Sequence, residues 1–159
     1  MHGKLPWKRG LTFMLSRPFD TLLQQTTPRA TIAVAGASNH PLKYGYLVTK
    51  FLAAQGYTVW PISSDESAVH GIPTYPDVAS LPAAPDIIST VTPPRATLAL
   101  IREAILKGCE HLWLQPGSFN ITVLSKAAMS GMLIESQRCI MVVSAQWLGE
   151  PTSGSTGLQ

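Results

Sequence analysis

Apolar and polar positions along this chain alternate between two periods, and the alternation itself predicts an architecture. Ile32 and Val34, with small neighbours, read as a strand buried on both faces and ending at Gly36. Leu47, Val48, Phe51 and Leu52 then recur at helical spacing over residues 44–55, and Gly56 stops that helix. Residues 57–62 form a second apolar strand. Residues 63–80 are punctuated by Pro and Gly, with a short strand expected near 72–75 and a helical turn before Leu81 and Pro82. A third core strand spans 86–92 and is ended by Pro93 and Pro94. Leu98, Ile101, Ile105 and Leu106 mark a helix over 95–107, closed by Gly108. A fourth strand at 111–114 leads into the turn Gln115, Pro116, Gly117. The next helix starts at Asn120 or Thr122 and runs to about Ser130. A short strand follows at 132–135, then an apolar stretch at 140–143 and a last turn containing Trp147. No internal repeat is present.

Strands alternating with helices through short loops imply an α/β fold: a Rossmann-like, doubly wound, mainly parallel sheet with helices on both faces. Ligands of such sheets bind beyond the carboxyl ends of the strands, where strand order reverses. Four strand-end sets are therefore expected on one rim: Gly36–Ala37–Ser38, Pro61–Ile62–Ser63, Val91–Thr92–Pro93 and Gln115–Pro116–Gly117.

The first of these carries the clearest chemistry. A small-residue loop opening a helix gathers unpaired N–H groups and the positive end of the helix dipole, so it can hold a phosphate. Lys43 adds a full positive charge. The loop is not the common dinucleotide form, because G-x-G-x-x-G from Gly36 would need glycines where Ser38 and Pro41 stand. It is not a P-loop either, since Pro41 replaces the second glycine and Tyr44 follows the lysine.

Composition narrows the function. The chain has 159 residues, enough for one domain with a proper core, and only 13% of them are charged. The net charge of +3 is uneven: residues 1–29 hold five basic side chains against Asp20, whereas residues 30–159 hold seven basic and eight acidic. A near-neutral body speaks against nucleic-acid binding, which requires a basic face. No apolar run is long enough to span a bilayer, so a soluble protein without a membrane partner is expected. Cys109 and Cys139 match no disulfide framework or zinc spacing and suit a reducing compartment.

The expected organisation is a basic extension at 1–29, a ligand-binding domain at 30–150 and a Ser/Gly/Thr-rich disordered tail at 151–159. The extension has two readings. Its Arg and Lys residues, scarcity of acids and apolar face (Trp7, Phe13, Phe19, Leu22, Leu23) resemble a mitochondrial transit segment. It reads equally as an arm that packs on the domain or stays loose. Localisation is thus cytoplasmic or mitochondrial.

Five segments together resemble a known family: AVAGASNHPLKYG at 33–45, GYTVWPISS at 56–64, PDIISTVTPP at 85–94, HLWLQPGSFN at 111–120 and RCIMV at 138–142. They are similar to the small stand-alone CoA-binding proteins, whose domain is like the CoA-binding domain of the succinyl-CoA ligase α subunit. The resemblance runs from about residue 31 to 147. It implies that coenzyme A or acyl-CoA lies across the rim, with phosphates at Gly36, Ala37, Ser38, Lys43 and the helix start at Tyr44. Pro61, Ser63, Thr92, Pro93, Gln115, Pro116 and Gly117 complete the expected binding set. Where family members carry an Asn-Pro pair after the second strand's proline, this chain has Ser63 and Ser64.

Three functions follow. The leading expectation is non-catalytic binding of CoA or acyl-CoA by a carrier, sensor or regulatory module, because no paired carboxylates, Ser–His–acid set or Cys–His pair assembles on the rim. The second is an NAD(P)-dependent oxidoreductase. Such enzymes place an acid at the second strand's end, whereas Asp65 and Glu66 come slightly late. The third is a subunit that lends its CoA site to a catalytic partner; a homo-oligomer is also open. Cys139 reads as an inert cysteine, His111 as remote from the rim, His40 as the one histidine placed to touch ligand, and no metal site is expected.

Overall fold

The computed structural model describes residues 18–147. The expected tail at 151–159, and residues 1–17 of the expected extension, lie outside the described residues.

Five strands form the main sheet: β1 (Thr31–Ala35), β2 (Thr58–Ile62), β5 (Ile87–Thr90), β6 (His111–Leu114) and β7 (Leu133–Glu135), in the order β2-β1-β5-β6-β7. All four pairings are parallel. Strand order reverses between β1 and β5, because the chain leaves β1 to one side and returns on the other. β3 (Ala68–Val69) and β4 (Ile72–Pro73) form a small antiparallel hairpin. The 72–75 strand is thus one arm of a hairpin, whose turn residues His70 and Gly71 both have positive φ.

Alternation within β1 decides what each face receives. Ile32 and Val34 enter a core with Val48 and Leu52 of α2 (Tyr44–Ala54) and Ile140 and Val143 of α5 (Ile140–Gln146). Ala33 and Ala35 face the other core, with Leu100, Ile101 and Ala104 of α3 (Pro94–Lys107) and Val123 and Ala127 of α4 (Ile121–Met129). Asn120 starts α4 by accepting the Val123 N–H at 3.0 Å through its side chain.

The packed body reaches upstream of the boundary expected at residue 30. α1 (Pro18–Gln24) buries Phe19 and Leu23 in the α2/α5 core. Phe19 stands edge-on to Trp113 and His111, at centroid distances of 5.2 and 5.3 Å. Arg138 grips both carboxylate oxygens of Asp20, at 2.6 and 3.2 Å, and the Tyr57 hydroxyl donates to the Leu23 carbonyl at 2.7 Å. The apolar stretch at 140–143 is the first part of helix α5. β5 stops at Thr90, two residues short of expectation, where the hydroxyls of Thr90 and Thr92 turn toward each other. Among the described residues, no helix is long and apolar enough to cross a membrane.

Candidate functional site

A cleft of about 710 Å³ opens at the β1/β5 reversal. Its floor is Gly36, Ala37 and Ser38. Gly36 has φ +89°, and a Cβ there would lie 2.9 Å from Val91 Cγ2, so both conformation and space call for glycine. Gly45, in the first turn of α2, faces the Gly36 carbonyl directly. The Gly36 and Ala37 N–H groups donate to the Ile62 carbonyl, and the Ser38 hydroxyl accepts the His40 N–H at 3.0 Å. The N–H groups of Ser38, Tyr44 and Gly45 have no partner among the described residues. α2 has no side-chain cap, and its first residues line the cleft. Free N–H groups at a helix start beside a lysine are a geometry suited to an anion.

The opposite lip is the start of α3. Thr92 lines the cleft, its hydroxyl held 2.7 Å from Thr90 Oγ1 and 2.9 Å from Thr97 Oγ1. Pro93 precedes a second uncapped helix start. From there Ala96, Ala99, Leu100 and Glu103 extend the wall along α3, facing Pro76 and Asp77. Lys107 ties the 79–81 segment to α3, donating to the carbonyls of Ala79 and Leu81 at 3.0 and 2.6 Å. Burial raises the Glu103 carboxyl above its ordinary range, helped by the negative charge of Asp77.

Eight of the twelve expected site residues line this cleft: Gly36, Ala37, Ser38, Lys43, Tyr44, Ser63, Thr92 and Pro93. The other four do not. Pro61 is buried within β2 opposite Val34, one residue before the lining begins. Gln115 is fully buried and turned inward. Its amide nitrogen donates to Ser89 Oγ at 3.1 Å and its oxygen accepts the Ile140 N–H at 3.4 Å, so it fastens α5 to the sheet. Pro116 and Gly117 form the exposed turn beside it. β6 lies one strand beyond the reversal, which is why this set does not reach the cleft.

Two residues placed late by the sequence do line it. Ser63 Oγ accepts the N–H groups of both Asp65 and Glu66 at 3.3 Å, and this turn brings the two acids back to the cleft. Glu66 also accepts from the Asn39 amide at 3.1 Å, tying the anion loop to the β3–β4 hairpin. The α3 wall and Asp77 were also missed; only the spacing of Ala96, Ala99 and Glu103 along one helix face signals them.

The Tyr44 hydroxyl lies 2.6 Å from the Cys139 thiol. Burial, then this thiol, pushes the phenol far above its ordinary range, so it stays neutral. Cys139 itself does not line the cleft. Cys109 is buried and its thiol pushed up to about 11 by desolvation. His111 starts β6, away from the cleft, as its position predicts. His40 is exposed and its ring accepts the Leu42 N–H at 3.3 Å. No group of three or more His, Cys, Asp or Glu able to hold a metal ion occurs among the described residues.

The sequence pattern of the CoA binding domain family matches residues 30–145. The chain belongs to that family. Coenzyme A or acyl-CoA is the ligand class the family binds. The chain is 35% identical over 92 residues to the α subunit of acetate–CoA ligase [ADP-forming] II of Pyrococcus furiosus, covering 57% of this chain and 20% of the subunit. The chain therefore spans about a fifth of that relative's length. Among solved structures it is similar to a conserved hypothetical protein from Pyrococcus furiosus, with TM-score 0.68 and 34% identity over 71% of this chain and 97% of that one. A hypothetical protein from Pyrococcus horikoshii gives TM-score 0.71 and 30% identity, covering 84% of this chain and 98% of the other.

Proposed function

We propose that this CoA-binding domain supplies the CoA site to an acyl-CoA-forming enzyme whose reacting groups lie on a partner. The observation that carries the reading is the 35% identity to a ligase α subunit over 92 residues of this chain. The cleft's own chemistry supports it. Free N–H groups, Lys43 and two helix starts suit the phosphates of a nucleotide. The hydroxyls of Ser38, Ser63 and Thr92 are engaged in shaping loops, and Ser64, whose hydroxyl donates to Asp65 at 3.2 Å, has no histidine beside it to complete a catalytic set. This speaks against catalysis by the chain alone; the likeness to a ligase subunit favours the subunit role over a free-standing carrier, and the family match weighs against an NAD(P) oxidoreductase.

The test is calorimetric titration of the purified chain with CoA and with NAD, followed by an assay for acyl-CoA formation from acetate, CoA and ATP. Binding of CoA but not NAD, with no acyl-CoA formed by the chain alone, is expected. Tighter binding of NAD would restore the oxidoreductase reading. Turnover by the isolated chain would make it an enzyme in its own right.

A further inference from the structure

The charges lining the cleft are unevenly placed. Lys43 stands on the anion loop, whereas Asp65 and Glu66 follow β2 and Asp77 and Glu103 face the far arm. Among the described residues, no other Lys or Arg lines this cleft. Lys107 is held by two loop carbonyls, and Arg95, at the start of α3, is exposed and outside the lining. In doubly wound sheets the phosphates lie at the first loop and the nucleoside over the end of the second strand, where an acid accepts from ribose hydroxyls. The arm beyond β2 matches that role. Ala96, Ala99, Leu100 and Pro76 offer apolar surface to a base, and Ser63 to Glu66 lie where its ribose would sit.

Within the CoA-binding reading on which this rests, we propose that the cleft binds the CoA framework without using its 3′-phosphate, and takes the 3′-dephosphorylated form more tightly than CoA. A ribose hydroxyl donates to Asp65 or Glu66, whereas a phosphate in the same place meets like charge on both walls. Rejecting one ligand by like charge is a common route to specificity. Glu66 is fixed by Asn39, so it cannot swing away without loosening the anion loop. Asp65 is exposed, with only the Ser64 hydroxyl bonded to its carboxylate. Asp77 accepts the Ser80 N–H at 2.8 Å and is likewise held.

The experiment is titration with CoA and with dephospho-CoA at low and high salt, on the wild type and an Asp65→Asn/Glu103→Gln variant. Dephospho-CoA should bind at least about threefold more tightly at low salt, and the gap should narrow as salt screens the repulsion. The double variant should tighten CoA until the two ligands differ by less than about twofold, relieving part of the repulsion. Thermal unfolding checks that this variant is folded, and Asp65→Asn alone serves if it is not. Equal or tighter binding of CoA in the wild type overturns this proposal and leaves the CoA-binding reading standing. Failure of both ligands to bind overturns both.

Discussion

Gly45 meets the Gly36 carbonyl so closely that a Cβ built on Gly45 would lie 1.9 Å from the oxygen. The first turn of α2 therefore rests directly on the backbone of the anion loop. This contact sets the distance between the loop and the free N–H groups of Tyr44 and Gly45, and it exists only because residue 45 has no side chain.

Gly45→Ala should accordingly damage both fold and site. The clash is with backbone, which cannot rotate away, so the cost should reach the upper end of the roughly 1–3 kcal/mol typical of overpacking. At about 2–4 °C per kcal/mol for a chain of this size, the melting temperature should fall by up to about 10 °C. CoA affinity should fall with it. An unchanged melting temperature would mean that α2 shifts freely against the loop.

Lys43→Ala should leave the fold intact, because Lys43 is exposed and its side chain caps nothing. The loss is one charge-assisted contact to phosphate, which at an exposed position corresponds to about a tenfold weaker CoA affinity. Unaltered affinity would leave the backbone N–H groups as the whole cradle.

Phe19→Ala should destabilise by about 3–5 kcal/mol, the usual range for a buried aromatic. Phe19 is 4% exposed, against Trp113 and His111. Deleting residues 1–29 should cost more, since Leu23 and the Asp20–Arg138 pair go too. Denaturant titration measures both. A deletion as stable as the full chain would return the boundary to residue 30.

Stability should also fall in mild acid. His111 is held below its ordinary pKa by burial first, with Glu110 and Asp86 opposing. The folded state therefore binds a proton less readily than the unfolded one. The associated stability is present above pH of about 6.5 and is lost as pH falls through the depressed folded pKa. Melting temperatures at pH 7.5 and 5 should differ by less in His111→Gln than in the wild type. Equal slopes would place the acid sensitivity elsewhere.

Much of this protein was legible in its residues because local rules govern them. The β1 alternation, the periodicity of α2 and α3, and the glycines at 56 and 108 concern neighbours within a turn or two. The loop that opens α2 was legible for the same reason: Gly36 through Tyr44 is one continuous segment. Distance in sequence hid the rest. Gln115 stands at a strand end, as a ligand residue would, but strand order puts β6 one place beyond the reversal and turns its amide onto Ser89 and Ile140. Asp65 and Glu66 come slightly late after the second strand, and only the Ser63 turn shows that they fold back to the cleft. Phe19 and Leu23 looked like part of an extension because nothing near them in sequence is core; their partners are at residues 57, 111 and 113. Periodicity reports which face of an element is apolar. Which element meets that face depends on the order in which the strands pair.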